Sequence, residues 1–498
     1  MPARTQTIDA WLKTHAAHQP DKPALHQDGK TWSYSTLEAW VGEMAAGLAG
    51  RLGLKRGDRV AYLGYNAAEE VALFFAAARL GLMVVPLNWR LEAAEQRYMI
   101  EIAAPRVIFH GAEFAQQAHD IAPPETRVCA EIPLAEPSNE ASAAEITDPF
   151  LLVFTSATTG RPKGVVHTQE AVLWNALSSL HLHELTSRDH VLVMLPLFHV
   201  GGINIQMMPC FFAGGTVSLM SRFEPGRALD MLNRDGITLS VVVPTVMQAL
   251  FAHPDWEGAA LPHLRMLSIG STDVPVDILR RVSERGIAIV QVYGATETGP
   301  ISTYQRADEA TQTMGSIGRP AAHSSVRLVG SGGTDCDVDE PGEIWVRGAN
   351  CFDSYWRDPD ATQSAVEDGW FKTGDVAYRD RNGLYWFVGR LKHVIISGGE
   401  NIFPAEIERI LATLPGVDEV AVVGRADPKW GEVPVIVAVV TPGGPDRDTL
   451  LHACHGQIAR FKQPKDVVFT ETLPRNALGK VRLEAVREIA AAGETYAG

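Results

Sequence analysis

The stretch Leu151-Leu152-Val153-Phe154-Thr155 runs straight into Ser156-Ala157-Thr158-Thr159-Gly160-Arg161-Pro162-Lys163-Gly164. A short apolar run has the length and composition of a buried strand. After it comes a cluster of small and hydroxyl residues, two glycines and a lysine. Such a loop turns backbone N–H groups and hydroxyls toward one anion, with Lys163 as a point charge. It is not a Walker A loop, because the GxxxxGK[ST] spacing is absent and Pro162 interrupts it. Further runs of the same kind lie at 191–195 (VLVML), 239–243 (LSVVV), 265–270 (RMLSIG) and 287–293 (IAIVQVY). Each meets a Gly, Pro or Ser/Thr break and then a helix-like stretch. The alternation predicts an α/β fold: a large N-terminal domain of mixed and parallel sheets with flanking helices. Ligands in such sheets sit outside the C-terminal ends of the strands. The motifs are accordingly expected just after strands or in loops.

Beyond residue 380 the texture changes. RNGLYWFVGR reads as a hairpin turning at Asn382-Gly383. A small α/β unit comes next, so the expected domains are 1–391 and a mobile 392–498, a normal domain size.

Composition narrows the function. The 498 residues carry a formal net charge of −15, with 46% hydrophobic and 21% charged residues. This is an ordinary globular balance, and it argues against nucleic-acid binding, which needs a basic face. A polyanionic ligand would have to be met by local Lys and Arg. The five cysteines are scattered without a CxxC pair, which suits a reducing compartment. The first residues show no apolar signal core. Val71 to Leu87 is broken by Arg79 and Gly81 and reads as a buried helix followed by a strand, not a membrane span. A cytoplasmic protein is expected.

Further residues suit nucleotide chemistry. Tyr293 offers an aromatic face, and Gly294 permits close approach to a flat ring. Thr296 can donate to a phosphate oxygen, and Glu297 can hold Mg2+, which takes one or two carboxylates plus phosphates and water. Asp375 has two acceptor oxygens for a vicinal diol. Lys480, preceded by Gly479, sits on a loop able to bring an ammonium into a cleft. A carboxylate attacking a phosphate brings two anions together, and a fixed cation offsets that repulsion.

TSATTGRPKG (155–164), YGATE (293–297), TGD (373–375), GR (389–390) and PRNALGK (474–480) together resemble the adenylate-forming, AMP-binding superfamily of acyl- and aryl-CoA synthetases. The pattern is nearest to bacterial fatty-acyl-CoA and feruloyl- or aryl-CoA ligases. The resemblance spans about residues 10–490. It implies an acid–thiol ligase that uses ATP, Mg2+ and coenzyme A, forming an acyl-adenylate and then a thioester. By resemblance, Thr155, Ser156, Thr158, Thr159, Gly160 and Lys163 wrap the ATP phosphates. Gly270, Ser271, Thr272, Gln291, Tyr293, Gly294, Thr296, Asp375, Phe387 and Arg390 take the adenylate. Glu297 ligates the metal, and Lys480 bridges the substrate carboxylate and the α-phosphate. His199, Thr296, Glu297 and Lys480 are the implied catalytic set, and Lys392 is the implied hinge. Ser397, Gly398, Gly399 and Trp430 are the implied pantetheine contacts, with Arg475, Arg90 and Lys465 toward the CoA phosphates.

The implied acid pocket is His199, Val200, Ile203, Asn204, Val243, Gly270, Gly294 and Gly299. No Arg or Lys lies in these segments, which argues against a dicarboxylate. No Asp comes after His199 to hold an α-amino group, which argues against an amino acid. The expected substrate is an aromatic acid of the hydroxycinnamate (ferulate) or benzoate type. A medium- or long-chain fatty acid is the first alternative, and a carrier-protein acceptor the second. The partner expectations are a small carboxylic acid, CoA, a homodimer and a lysine acetyltransferase acting on Lys480, whose charge acetylation would remove.

Overall fold

The computed structural model describes residues 7–137, 144–155, 162–270, 274–398, 400–475 and 481–493. Two compact units divide the chain. One takes in Met1–Val326 and Trp345–Lys372, the other Arg327–Ile344 and Thr373–Gly498. The sequence predicts a single cut at 391–392. The chain instead passes between units inside three strands, Ser324–Val329, Gly342–Gly348 and Trp370–Arg379. No change of composition marks such crossings.

The first unit holds a nine-stranded sheet whose six central strands run parallel: Ala288–Tyr293, Met266–Gly270, Leu239–Val242, His190–Val193, Thr216–Leu219 and Pro23–Gln27. Antiparallel strands close both edges. A seven-stranded sheet carries Pro149–Thr155, Met83–Leu87, Arg59–Leu63, Val107–His110 and Arg127–Cys129 in parallel, with Lys163–Thr168 antiparallel to the first of these and Ser354–Tyr355 antiparallel to Lys163–Thr168. The helix Ala68–Leu80 is buried nearly all round, as its apolar run requires. Its Phe74 and Phe75 meet Phe150 and Phe211 edge to face. Arg79, the charge that interrupts the run, is held by Glu38 at 2.7 Å and Asp9 at 3.2 Å. Among the described residues no helix is long and apolar enough to cross a membrane.

Two expectations are corrected. Pro149–Thr155 is followed by an antiparallel return strand, not a helix, and Ala288–Tyr293 by a short 3-10 turn and another antiparallel strand. TGD and GR lie inside paired strands, with Asp375 opposite Arg390, not in loops. Pairing within the sheet makes these polar stretches strands despite their weak strand propensity.

In the second unit, Asn382-Gly383 turns the expected hairpin, with Gly383 at φ +79°. The sheet beyond it shows the period of two plainly. Val422, Ile436 and Ala438 pack with Ile407, Leu411 and Leu450 on one face, while Ala421, Val423, Val435 and Val437 pack with Val486 and Ala490 on the other. Both faces are buried, so these strands read as continuous apolar runs.

Candidate active site

In the first unit the candidate site is built on the C-terminal ends of parallel strands. Thr155 and Lys163 are direct partners across the Pro149–Thr155 and Lys163–Thr168 hairpin. Ser156, Thr158, Thr159 and Gly160 lie outside the described residues, as do Ser271, Thr272, Gly399 and Lys480. The strand Ser354–Tyr355 adds to the hairpin, with Tyr355 opposite Val165. Lys163 Nζ lies 4.8 Å from the centre of the Tyr355 ring, a cation–π distance. The Tyr355 hydroxyl donates to Glu297 Oε1 at 2.8 Å. The Phe352 amide donates to the Glu297 carbonyl at 2.7 Å. Tyr355 thus links Lys163, expected at the phosphates, to the expected metal carboxylate. Burial, then the neighbouring Glu297 carboxylate, push the tyrosine hydroxyl far above its ordinary pKa. It therefore stays a donor. Sequence reasoning missed Tyr355, because nothing local to CFDSYW announces pairing with a strand nearly 200 residues earlier.

The turn after Tyr293 is rigid for internal reasons. A Cβ at Gly294 would sit 1.8 Å from the Pro300 carbonyl oxygen, so the glycine is required by the protein's own backbone. The expectation assigned that glycine to a ligand ring. Thr296–Thr298 form a 3-10 turn carrying Glu297. Three buried asparagines pin the backbone beyond it. Asn350 Nδ2 donates to Thr298 O (2.7 Å), Asn204 Nδ2 to Gly299 O (3.0 Å), and Asn175 Nδ2 to Asn204 O (2.6 Å). Asn204 and Gly299, both expected in the acid pocket, are thus in contact. Asn175 and Asn350 were not expected. Their signal is a lone amide in a helical or strand context, which also fits any satisfied core polar group. Gln291 Oε1 accepts from the Gly315 amide at 3.1 Å.

His199 precedes the short turn Val200–Gly202, its ring 4.6 Å from Phe198. Ile203–Met207 continue as a π-helix, a form concentrated at functional positions. Val243 precedes the helix Pro244–Ala252, and Gly270 ends its strand. A small cavity of about 10 Å3 lies among Leu195, Gly201, Gly202, Gln206, Met207 and Val241. Arg90, expected toward CoA phosphates, packs its guanidinium over Trp89 (5.0 Å) and Phe198 (5.8 Å), next to His199.

The second unit carries the remaining expected residues. Arg390 Nε pairs with the nearly buried Asp375 carboxylate at 2.7 Å. Phe387 O accepts from Arg409 Nη2 at 2.7 Å. Lys392 is exposed within the turn Leu391–His393. Gly398, at φ +60°, donates its amide to Trp430 O at 2.7 Å, and a Cβ there would meet the Trp430 ring at 2.8 Å. Trp430 is 45% exposed and held by its amide to Asp427 at 2.9 Å. Gly398 and Trp430, expected to line one tunnel, are thus neighbours. Ser397 is buried in the adjoining strand, opposite Gly431. Arg475 pairs with Glu419 at 2.9 Å.

The AMP-binding enzyme family matches residues 12–356, and the C-terminal domain of that family matches residues 406–480. The chain belongs to the AMP-binding enzyme family. It is 43% identical to an indoleacetate–CoA ligase of Aromatoleum aromaticum, over 97% of this chain and 98% of that protein. It is 39% identical to a feruloyl-CoA synthase of an Amycolatopsis species, over 97% and 99%. It is 33% identical to the long-chain-fatty-acid–CoA ligase FadD13 of Mycobacterium tuberculosis, over 92% of each. Among solved structures it is similar to o-succinylbenzoate CoA synthetase of Bacillus subtilis in complex with its acyl-adenylate intermediate. That likeness has a TM-score of 0.86, 30% identity and 99% coverage of both chains. Family membership makes the chain an AMP-forming acid–thiol ligase.

Proposed function

We propose that this acid–CoA ligase acts on an aromatic carboxylic acid, joining it to AMP and then passing the acyl group to CoA. The observation that carries the choice is the buried amide of Gln206, seven residues after His199, whose side chain faces a small cavity among Leu195, Gly201, Gly202 and Val241. A long alkyl chain needs a wholly apolar channel. The higher identity to two ligases named for aromatic acids than to the fatty-acid ligase points the same way.

In this reading Lys163 and the loop before it hold the ATP phosphates. Mg2+, when bound, neutralises developing phosphate charge. Glu297 is the residue that would hold it, and one carboxylate suffices where phosphates and water complete the shell. Tyr355 orients that carboxylate through Oε1. Asp375 takes the ribose hydroxyls, Lys480 steers the acid carboxylate onto the α-phosphate, and Lys392 is the hinge between the half-reactions. Gly398 and Trp430 receive the pantetheine arm. The five cysteines are all free thiols, which accords with a reducing cytoplasm.

The test is pyrophosphate release across indole-3-acetate, ferulate, benzoates and fatty acids of graded length. An aromatic acid is expected to exceed every fatty acid by about tenfold or more in kcat/KM. A fatty acid as the best substrate would overturn the reading.

A further inference from the structure

Gln206 lies on the π-helix Ile203–Met207, seven residues after His199, and is 1% exposed. The run GGINIQMM places this amide between Ile205 and Met207, two residues beyond the buried Asn204. The Gln206 Oε1 is buried with no hydrogen-bond partner among the described residues, and its side chain lines the small cavity described above. Buried polar groups are nearly always paired, so an orphan needs a cause.

A hydrogen-bond chain fixes which end of the amide is the orphan. His183 Nδ1 lies 3.0 Å from the Ser179 carbonyl, which can only accept, so Nδ1 carries the proton. His183 is fully buried and its pKa is pushed down to about 3, so the ring is neutral and Nε2 is an acceptor. Ser268 Oγ, 2.7 Å from Nε2, must donate to it. The Ser268 oxygen is then left as an acceptor for Gln206 Nε2, at a long 3.4 Å. Ser179 Oγ adds a brace, donating to Ile205 O at 2.6 Å within the same π-helix. Reversing the amide would set two acceptors face to face. The structure therefore presents an oxygen, not an NH2, to the cavity.

The cavity is also open by composition. A Cβ at Gly201 would meet only Ile205 Cδ1, at 3.7 Å, so packing does not demand this glycine. Its missing side chain leaves room beside Gln206. Leu195 and Val241, which share the lining, sit just past or near the C-terminal ends of parallel strands, where ligands of such sheets bind.

We propose that Gln206 sets specificity for the acid: its amide oxygen accepts a hydrogen bond from an N–H or O–H carried on the ring of an aromatic substrate. This rests on the aromatic reading and narrows it to donor-bearing rings. A site built to pair a donor rejects the analogue that lacks it, because the acceptor is then left buried and unpaired.

The test is ATP–pyrophosphate exchange with matched acids. One pair is indole-3-acetate against benzothiophene-3-acetate, in which sulfur replaces N–H. The other is 4-hydroxycinnamate against 4-fluorocinnamate. The wild-type enzyme is expected to favour the donor of at least one pair by about 10- to 100-fold in kcat/KM. The pair that responds tells an indole N–H from a phenol O–H. In Gln206→Met, of similar length, the ratio should fall to within about threefold, chiefly by faster turnover of the donor-free acid. Should that variant not fold, Gln206→Asn withdraws the amide by one methylene and should lower the same ratio. Gly201→Val, which fills the cavity, should slow the bicyclic acids more than the cinnamates. Aromatic acids adenylated with no donor preference, as a water-filled cavity would give, would overturn this inference alone. So would a preference unchanged in Gln206→Met. Fatty acids adenylated and aromatic acids not would overturn the aromatic reading and this inference together.

Discussion

The proposed adenylation residues around Glu297, in the first unit, and the proposed thioester residues around Trp430, in the second, are built differently. Around Glu297 every neighbour is fixed by pairing. Tyr355 is locked by its strand, the 298–301 turn by three buried asparagines, and Gly294 by the carbonyl pressed against it. Around Trp430 the ring is 45% exposed and rests on a left-handed glycine and one aspartate. Charge development at phosphorus rewards preorganised dipoles, because no reorganisation is then needed during reaction. A narrow thiol arm needs only a passage. The two steps therefore place different demands on rigidity, and single substitutions should separate them.

The largest separation is expected from Lys480→Ala. Acyl-adenylate formation should fall by about a thousandfold, and thioester formation from supplied adenylate should change little. Equal loss of both half-reactions, measured separately, would break the division. Next comes Glu297→Gln, for which adenylation should drop about a hundredfold and partly recover at raised Mg2+. A drop insensitive to Mg2+ would argue against its metal role. Tyr355→Phe keeps the ring over Lys163 but removes the hydrogen bond to Glu297. About a tenfold loss in adenylation alone is expected, the size of one charge-assisted hydrogen bond. Its mirror image is Gly398→Ala, which adds a Cβ against Trp430 at a left-handed φ. It should slow thioester formation by about tenfold and leave pyrophosphate exchange within about twofold.

The smallest effect concerns pH. In the first unit burial alone dominates, holding His183 down to about 3 and His167 to about 4. In the second, burial and then the cations Lys392, Arg390 and Arg487 hold His393 down to about 4. All three lie below the ordinary 6.5, so the unfolded chain takes up protons that the folded one refuses. Stability from these groups is fully present above about pH 6.5 and is lost as pH falls toward 4. The slope is about 1.4 kcal/mol per pH unit for each fully buried imidazole. Denaturant midpoints between pH 4 and 7 check this. Added salt should raise the NMR-measured pKa of His393 and leave that of His183 unmoved. Equal salt response would remove the distinction.

Much of this architecture was legible in the sequence. Apolar runs located the parallel strands, because that signal is local; the loop read after Thr155 falls outside the described residues. The features that escaped reading are non-local. Tyr355 reaches Glu297 only through antiparallel pairing with Val165. Asp375 and Arg390 read as separate adenylate contacts, but a hairpin register sets them against each other. Gly294 reads as room for a ring, and its cause is the Pro300 carbonyl. Gln206 is one of two amides on the π-helix Ile203–Met207, and its orientation follows only from the His183–Ser268 chain.

The central claim, adenylation first and thioester second, is tested most directly by a rapid-quench experiment with labelled ATP, Mg2+ and indole-3-acetate or ferulate in the absence of CoA. The expected result is release of pyrophosphate and build-up of one enzyme-bound acyl-adenylate, which added CoA then converts to thioester and AMP. Release of ADP, or no pyrophosphate until CoA is present, would contradict it.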